Sequence, residues 1–200
     1  FYTGKLRSAT NVQDLKVPAN LKPGITWTDV KPLSSSGADN INHAEIREIV
    51  SHLKVLLLEE KYAGHVGFVS PFRAQVMELE RHILEEIPEK VLKKAKFKAG
   101  TVDSFQGDER DLILFSPTVT LASPTSAITF VQRDFRRLNV AISRAKAVAH
   151  IFGDLDFAKS EKIRSLTKLA NFATKPLRQK MGENVFDSEW AVSYTHLRAH

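Results

Sequence analysis

Short apolar runs separated by helix-periodic stretches set the strongest limit on what this chain can fold into. Val66-Gly67-Phe68-Val69 reads as a short buried strand ending at Ser70-Pro71, and Phe97–Val102, Leu112–Phe115 and Val148–Phe152 read as three more. Before and between them lie apolar residues at helical spacing: Ile46, Ile49, Val50, Leu53, Leu56 and Leu57 ahead of the first, then Val76, Leu79, Ile83, Leu84 and Ile87 after it. Asn42, with Glu45 three residues on, caps the first of these helices in a capping-box arrangement, Gly64-His65 breaks it, and Arg73 opens the second. Strands alternating with helices at this spacing imply an α/β layer architecture with a mostly parallel sheet. In such sheets function gathers on loops at the carboxyl ends of strands.

Composition narrows the class. With 200 residues, 42% hydrophobic and 26% charged, the chain suits one globular domain with extra segments and argues against disorder. No apolar run reaches the roughly 20 residues that span a bilayer, so no membrane partner is expected. The absence of cysteine removes disulfides and thiolate metal sites, fits a reducing compartment, and leads to the expectation of a cytoplasmic protein. The net charge of +6 lies in clusters, Lys90, Lys93, Lys94, Lys96 and Lys98, then Lys159, Lys162, Arg164, Lys168, Lys175, Arg178 and Lys180. Such clusters favour an anionic partner, nucleic acid first, and serve equally as solubilising surface.

The ends read differently from the middle. Residues 1–38 carry Pro18, Pro23, Pro32 and Ser34-Ser35-Ser36-Gly37 and read as an extended connector. The start has neither an initiator methionine nor a signal pattern, so an excerpt from a longer protein is expected. Residues 39–155 form the expected core and 156–190 a basic helical tail. Residues 191–200 continue no pattern and resemble a non-native read-through, so His196 and His200 are set aside as ligands.

Four segments place polar groups where a buried core would not. The first is Ser70-Pro71-Phe72-Arg73-Ala74-Gln75, a strand end feeding a helix start, where free amides attract phosphate and Arg73 and Gln75 add donors. A simple capped helix is the alternative. In Gly100–Asp111, the small hydrogen-bonding residues Thr101, Asp103 and Ser104 precede Gln106-Gly107, which lets backbone approach a ligand, and Glu109, an acceptor for a ribose hydroxyl or an arginine. Asp108, Arg110 and Asp111 read as solvated turn charges. Asp134, in the third segment, is an N-cap candidate for the fourth, Arg136–Lys146. That segment reads as one small-residue helix with Arg137 and Arg144 two turns apart on one side, and an apolar stripe of Phe135, Leu138, Ile142 and Ala145. Two rigid cationic forks suit a polyphosphate; a solvated basic face is the alternative.

The strings VGFVSPFRAQ (66–75), GTVDSFQGDERDLILFS (100–116) and RRLNVAISRAKAVAHIFGD (136–154) resemble motifs IV, V and VI of superfamily 1 helicases. The class typified by the nonsense-mediated-decay helicase, within the AAA-type P-loop ATPases, is the best match. FYTGKL at the start resembles the segment after that class's Gln-Tyr-Arg-Met motif. The resemblance spans about residues 1–155 and implies the second RecA-like domain, a three-layer α/β/α fold. ATP with Mg2+ would lie in a cleft against an upstream RecA-like domain, which would hold both.

By the same resemblance Arg144 is the arginine finger and Arg137 a supporting residue. Glu109 contacts the nucleotide sugar, with Gln106 and Gly107 in the adjoining phosphate loop. Thr101 and Ser104, with Ser70, Pro71 and Arg73, track a single-stranded nucleic-acid backbone without reading sequence. Lys146 departs from the pattern, where relatives often carry arginine. No G-x-x-x-x-G-K-[ST] and no acidic Walker B pair occur. The whole is thus expected to be the C-terminal motor domain of a 5′→3′ DNA or RNA helicase, inactive as a fragment. An inactive nucleic-acid-binding or scaffold module with the same fold is the alternative. FDSEW (186–190) resembles the start of a nuclease-like domain fused to some relatives.

Overall fold

The computed structural model describes residues 15–33, 39–105, 108–133 and 135–174, except the side chains of 135–137. Among the described residues five strands are formed: β1 Gly24–Asp29, β2 Val66–Ser70, β3 Lys98–Thr101, β4 Arg110–Phe115 and β5 Ala145–Gly153. They lie in the order β1-β5-β4-β2-β3, with every pairing parallel. Helices α1 His43–Lys54, α2 Arg73–Glu86, α3 Glu89–Lys94, α4 Thr125–Arg133, α5 Phe135–Ser143, α6 Leu155–Lys159 and α7 Arg164–Thr174 connect or flank them.

Side chains alternate across a strand, so each strand feeds two cores. On one face Val66, Phe68, Leu112, Leu114, Val148 and Phe152 meet Ile46, Ile49 and Leu53 of α1 and Leu79 and Ile83 of α2. On the other, Val69, Ile113, Phe115, Ala149 and Ile151 meet Ala141 and Ile142 of α5 and Leu166 and Leu169 of α7. The result is the expected α/β/α sandwich, all parallel among the described strands.

Four boundaries differ from the sequence reading. Gly24–Asp29, inside the stretch read as connector, is an edge strand paired to β5. Helix α1 ends in a π turn over Val55–Glu59. The arginine-bearing helix stops at Ser143, so Arg144 lies in a turn and Ala145 and Lys146 open β5. Burial of Ala147–Gly153 between two neighbours outweighs the helical propensity of Ala-Lys-Ala. Finally, chain beyond 155 is not an outlying tail as far as Thr174, because Ile163, Leu166, Leu169 and Ala170 are buried in the second core.

β1 is joined to β5 by more than its ladder. His150 is buried, with Nδ1 2.6 Å from Thr26 Oγ1 and Nε2 2.9 Å from Thr28 Oγ1. Its ring stacks on His52 at 5.2 Å. Burial, reinforced by His52, pushes the His150 pKa down to about 3. The unfolded chain therefore takes up a proton near pH 6.5 that the fold refuses until about pH 3. The contribution is fully present above pH 6.5 and is lost as pH falls through that window. We expect the stability gap between the native chain and His150→Gln to shrink by about 2 kcal/mol from pH 6.5 to pH 5. Urea melts at the two pH values test this, and a constant gap would refute it.

Candidate functional site

At the carboxyl edge of the sheet, Ser70 of β2 lies in register with Thr101 of β3. Beside them the loop after β4 brings in Ser116 and Thr118, and the starts of α1 and α2 bring in Asn42, Glu45 and Gln75. Ser70, Ser116, Thr118, Asn42, Glu45 and Gln75 are all buried, so their polar atoms must satisfy one another. Glu45 accepts hydrogen bonds from Thr118 N at 3.0 Å and Asn42 Nδ2 at 2.9 Å, and is bonded to Ser116 Oγ. Gln75 accepts from Asn42 N at 2.7 Å and donates to Ser116 Oγ at 2.9 Å. Ser70 Oγ lies 3.0 Å from Thr118 Oγ1 and receives the Phe72 amide.

This network holds Thr118 at φ 70°, a left-handed conformation that a β-branched residue adopts only under constraint. Burial is also the main cause of the raised Glu45 pKa, about 8, with the charge on Asp154 adding to it. The capping box is thus half right. Asn42 Oδ1 does cap the Glu45 amide, while the Glu45 carboxyl turns into the core instead of back to the Asn42 amide.

Above this floor the helix start is open to solvent. Arg73 is exposed at the start of α2, where Phe72 is the N-cap and no side chain caps the first amides. Among the described residues no carboxylate pairs with Arg73. Pro71 is half-buried in the turn, and Thr101 is half-buried at its strand end. Ser70 is not itself at the surface. Its hydroxyl braces the loop from beneath, through Thr118 Oγ1 and the Phe72 amide.

From Thr101 the chain crosses the sheet face to reach the amino end of β4. A 3₁₀ turn, Val102–Phe105, starts the crossing, with Ser104 Oγ donating to Thr101 O at 2.7 Å. Ser104 is exposed, yet that hydroxyl proton is already committed. Phe105 is wholly buried against Gly67, where an added Cβ would lie 2.9 Å from its ring and 2.7 Å from Ile113 Cδ1. Lys98 then ties the segment down, with Nζ 3.0 Å from Ser104 O, 2.7 Å from Asp108 Oδ2 and over the Phe105 ring. Asp108 also pairs with Arg110, and Asp111 accepts the His65 amide at 2.7 Å. These charges are anchors, not the solvated turn the sequence suggested. Lys98 and Arg110 hold the Asp108 carboxyl below its ordinary range.

At the amino edge, Glu109 is exposed beside β5, 3.8 Å from Lys146 Nζ. The Arg110 amide donates to Arg144 O at 3.0 Å, which sets the two strand entrances side by side. The Arg144 guanidinium donates to Val140 O at 3.3 Å and Ser143 Oγ at 3.1 Å, on its own helix end. No carboxylate among the described residues neutralises it. Gln106, Gly107 and Asp134, and the side chain of Arg137, lie outside the described residues. The structure thus brings Arg144, Glu109 and Lys146 together at one edge, and Ser70, Pro71, Arg73 and Thr101 at the other. Reading the residues alone missed Glu45, Ser116 and Thr118.

The family described as an AAA domain matches residues 1–156. Helicase sen1 of Schizosaccharomyces pombe is 31% identical over 134 residues, covering 66% of this chain and 8% of that protein. Helicase SEN1 of Saccharomyces cerevisiae is 27% identical over 186 residues, covering 83% and 8%. The putative helicase MOV-10 of Gallus gallus is 35% identical over 130 residues, covering 56% and 13%. The chain belongs to this AAA-domain family and, within it, to the superfamily 1 helicases of the nonsense-mediated-decay class, with the RecA-like α/β fold. It spans about a tenth of the length of these relatives. No helix among the described residues is long and apolar enough to cross a membrane.

Proposed function

We propose that this chain is the second motor domain of an ATP-dependent helicase or translocase that moves 5′→3′ along single-stranded DNA or RNA. The observation that carries the reading is the crossing from Thr101 to Glu109. One short tethered segment joins a cationic, phosphate-suited edge to a second edge bearing an arginine with no counter-ion among the described residues. A passive binding module has no use for that second edge.

The donor set at the amino edge fits a nucleotide: a guanidinium with no carboxylate partner among the described residues suits a terminal phosphate and an exposed carboxylate suits sugar hydroxyls. ATP with Mg2+, held mainly by an upstream RecA-like domain, would supply the phosphoryl transfer that drives movement. Arg144 swings from its helix end across the domain boundary and offsets charge on the transferring group, with Arg137 in support. Glu109, with Gln106 and Gly107, orients the sugar and phosphates. At the opposite edge, the uncapped amides of α2, with Pro71 setting their turn, and Arg73 grip backbone phosphates. Thr101 and Ser104 contact the strand from the mouth of the crossing. Lys98 holds both Ser104 and Asp108, so a shift on either side of the crossing is felt by the other.

Thr101→Ala in the full-length parent tests the coupling. We expect strand affinity, or strand stimulation of ATP turnover, to fall about tenfold, in line with the loss of a charge-assisted hydrogen bond. Titration of labelled single strands and a turnover assay read the two effects. If neither changes, the assignment of Thr101 is wrong. The chain alone should hydrolyse no ATP.

A further inference from the structure

On the solvent side of the two helices, His43 at the first turn of α1 meets Glu78 and His82, one turn apart on α2. His43 Nδ1 lies 3.9 Å and His82 Nε2 3.3 Å from Glu78 Oε1, and the three ligand atoms all fall within 4.8 Å of one another. A point equidistant from such a triangle is roughly 2.4 Å or less from each atom, a few tenths of an ångström beyond zinc bond lengths of about 2.0–2.2 Å. All three side chains are at the surface or half-buried, so closing that gap needs only small rotamer shifts.

A cation already occupies the spot. Arg81 Nη2 sits 2.7 Å from Glu78 Oε1 and 3.0 Å from His82 Nε2. Guanidinium nitrogen only donates, so the His82 Nε2 lone pair must accept, as it would toward a metal. Arg81 has a second carboxylate in reach, with Nη1 2.9 Å from Glu85 Oε1, and can retire to it. We propose that His43, Glu78 and His82 form a binding site for a divalent transition ion of the zinc class, with water as fourth ligand and Arg81 as its competitor. The ion clamps α1 to α2, the two helices whose starts supply Asn42 and Gln75 to the buried floor of the carboxyl edge. This site is independent of the motor reading.

The test is titration of the 200-residue chain with Zn2+ and Co2+, with His196→Ala and His200→Ala in every sample to remove terminal histidines. Circular dichroism should show every variant folded, since the substituted side chains are at the surface. We expect 1:1 binding, a Co2+ visible spectrum, and a thermal midpoint that rises with Zn2+. His43→Ala and His82→Ala should each weaken binding about tenfold or more, and Arg81→Ala should tighten it. No saturable binding, unchanged binding in the His43→Ala/His82→Ala pair, or no tightening in Arg81→Ala would each overturn the proposal.

Discussion

Arg144→Ala in the full-length parent is expected to lower strand-stimulated ATP turnover by roughly 10³–10⁵-fold, the range that arginine fingers supply in related nucleotide hydrolases. Its guanidinium bonds only to groups of its own helix end, Val140 O and Ser143 Oγ, among the described residues. Removing it therefore costs the fold little, and the loss should fall on turnover with strand affinity in the absence of nucleotide unchanged. Arg144→Lys keeps the charge and loses the planar fork, so it should rescue only a small part. Steady-state turnover at saturating strand, beside strand titration, separates the effects. Activity within tenfold of the native enzyme would remove Arg144 from the finger role.

Glu45→Ala should destabilise the fold by on the order of 3–5 kcal/mol, because the Thr118 amide and Asn42 Nδ2 lose their acceptor in a water-free site. Thr118 would also lose the bond that helps hold its left-handed backbone. Glu45→Gln keeps the shape and most hydrogen bonds, so it should cost far less and differ mainly in pH dependence. The folded pKa of about 8 lies above the ordinary 4.5, so the fold holds a proton that the unfolded chain releases. Stability from this group is greatest below pH 4.5, declines as pH rises toward 8, and is level beyond. From pH 6.5 to pH 8 the native chain should lose about 2 kcal/mol relative to Glu45→Gln. Between pH 5 and 6.5 the Glu45 and His150 slopes oppose each other, and each variant exposes the one that remains. Urea melts across this range decide, and a flat difference for Glu45→Gln would sink the buried-proton account.

The central strands were legible because burial on both faces leaves an uninterrupted apolar run, as in Leu112–Phe115. β1 was not, because Gly-Ile-Thr-Trp-Thr-Asp is a half-buried strand set between Pro23 and Pro32, and its partner among the described residues is more than a hundred residues away. The end of α5 was misjudged because Ser-Arg-Ala-Lys carries no stop signal; the pull of the β5 ladder ends that helix. Arg144, Glu109, Thr101 and Arg73 could be picked out by charge and position. Glu45 could not, since a local capping pattern explained it and its decisive partners, Ser116 and Thr118, lie 71 and 73 residues away. Ser70 shows the converse, a motif residue whose hydroxyl proved to face inward.

The pairing of β1 with β5 also has a consequence for synthesis. The edge strand emerges from the ribosome first among the five, yet Thr26 must wait for His150, 124 residues later, to find its place. Until then β1 presents unpaired backbone on a nascent chain. Folding of this domain should therefore wait until β5 has emerged, with the ladder between the earliest and latest of the described strands as its slow closing step.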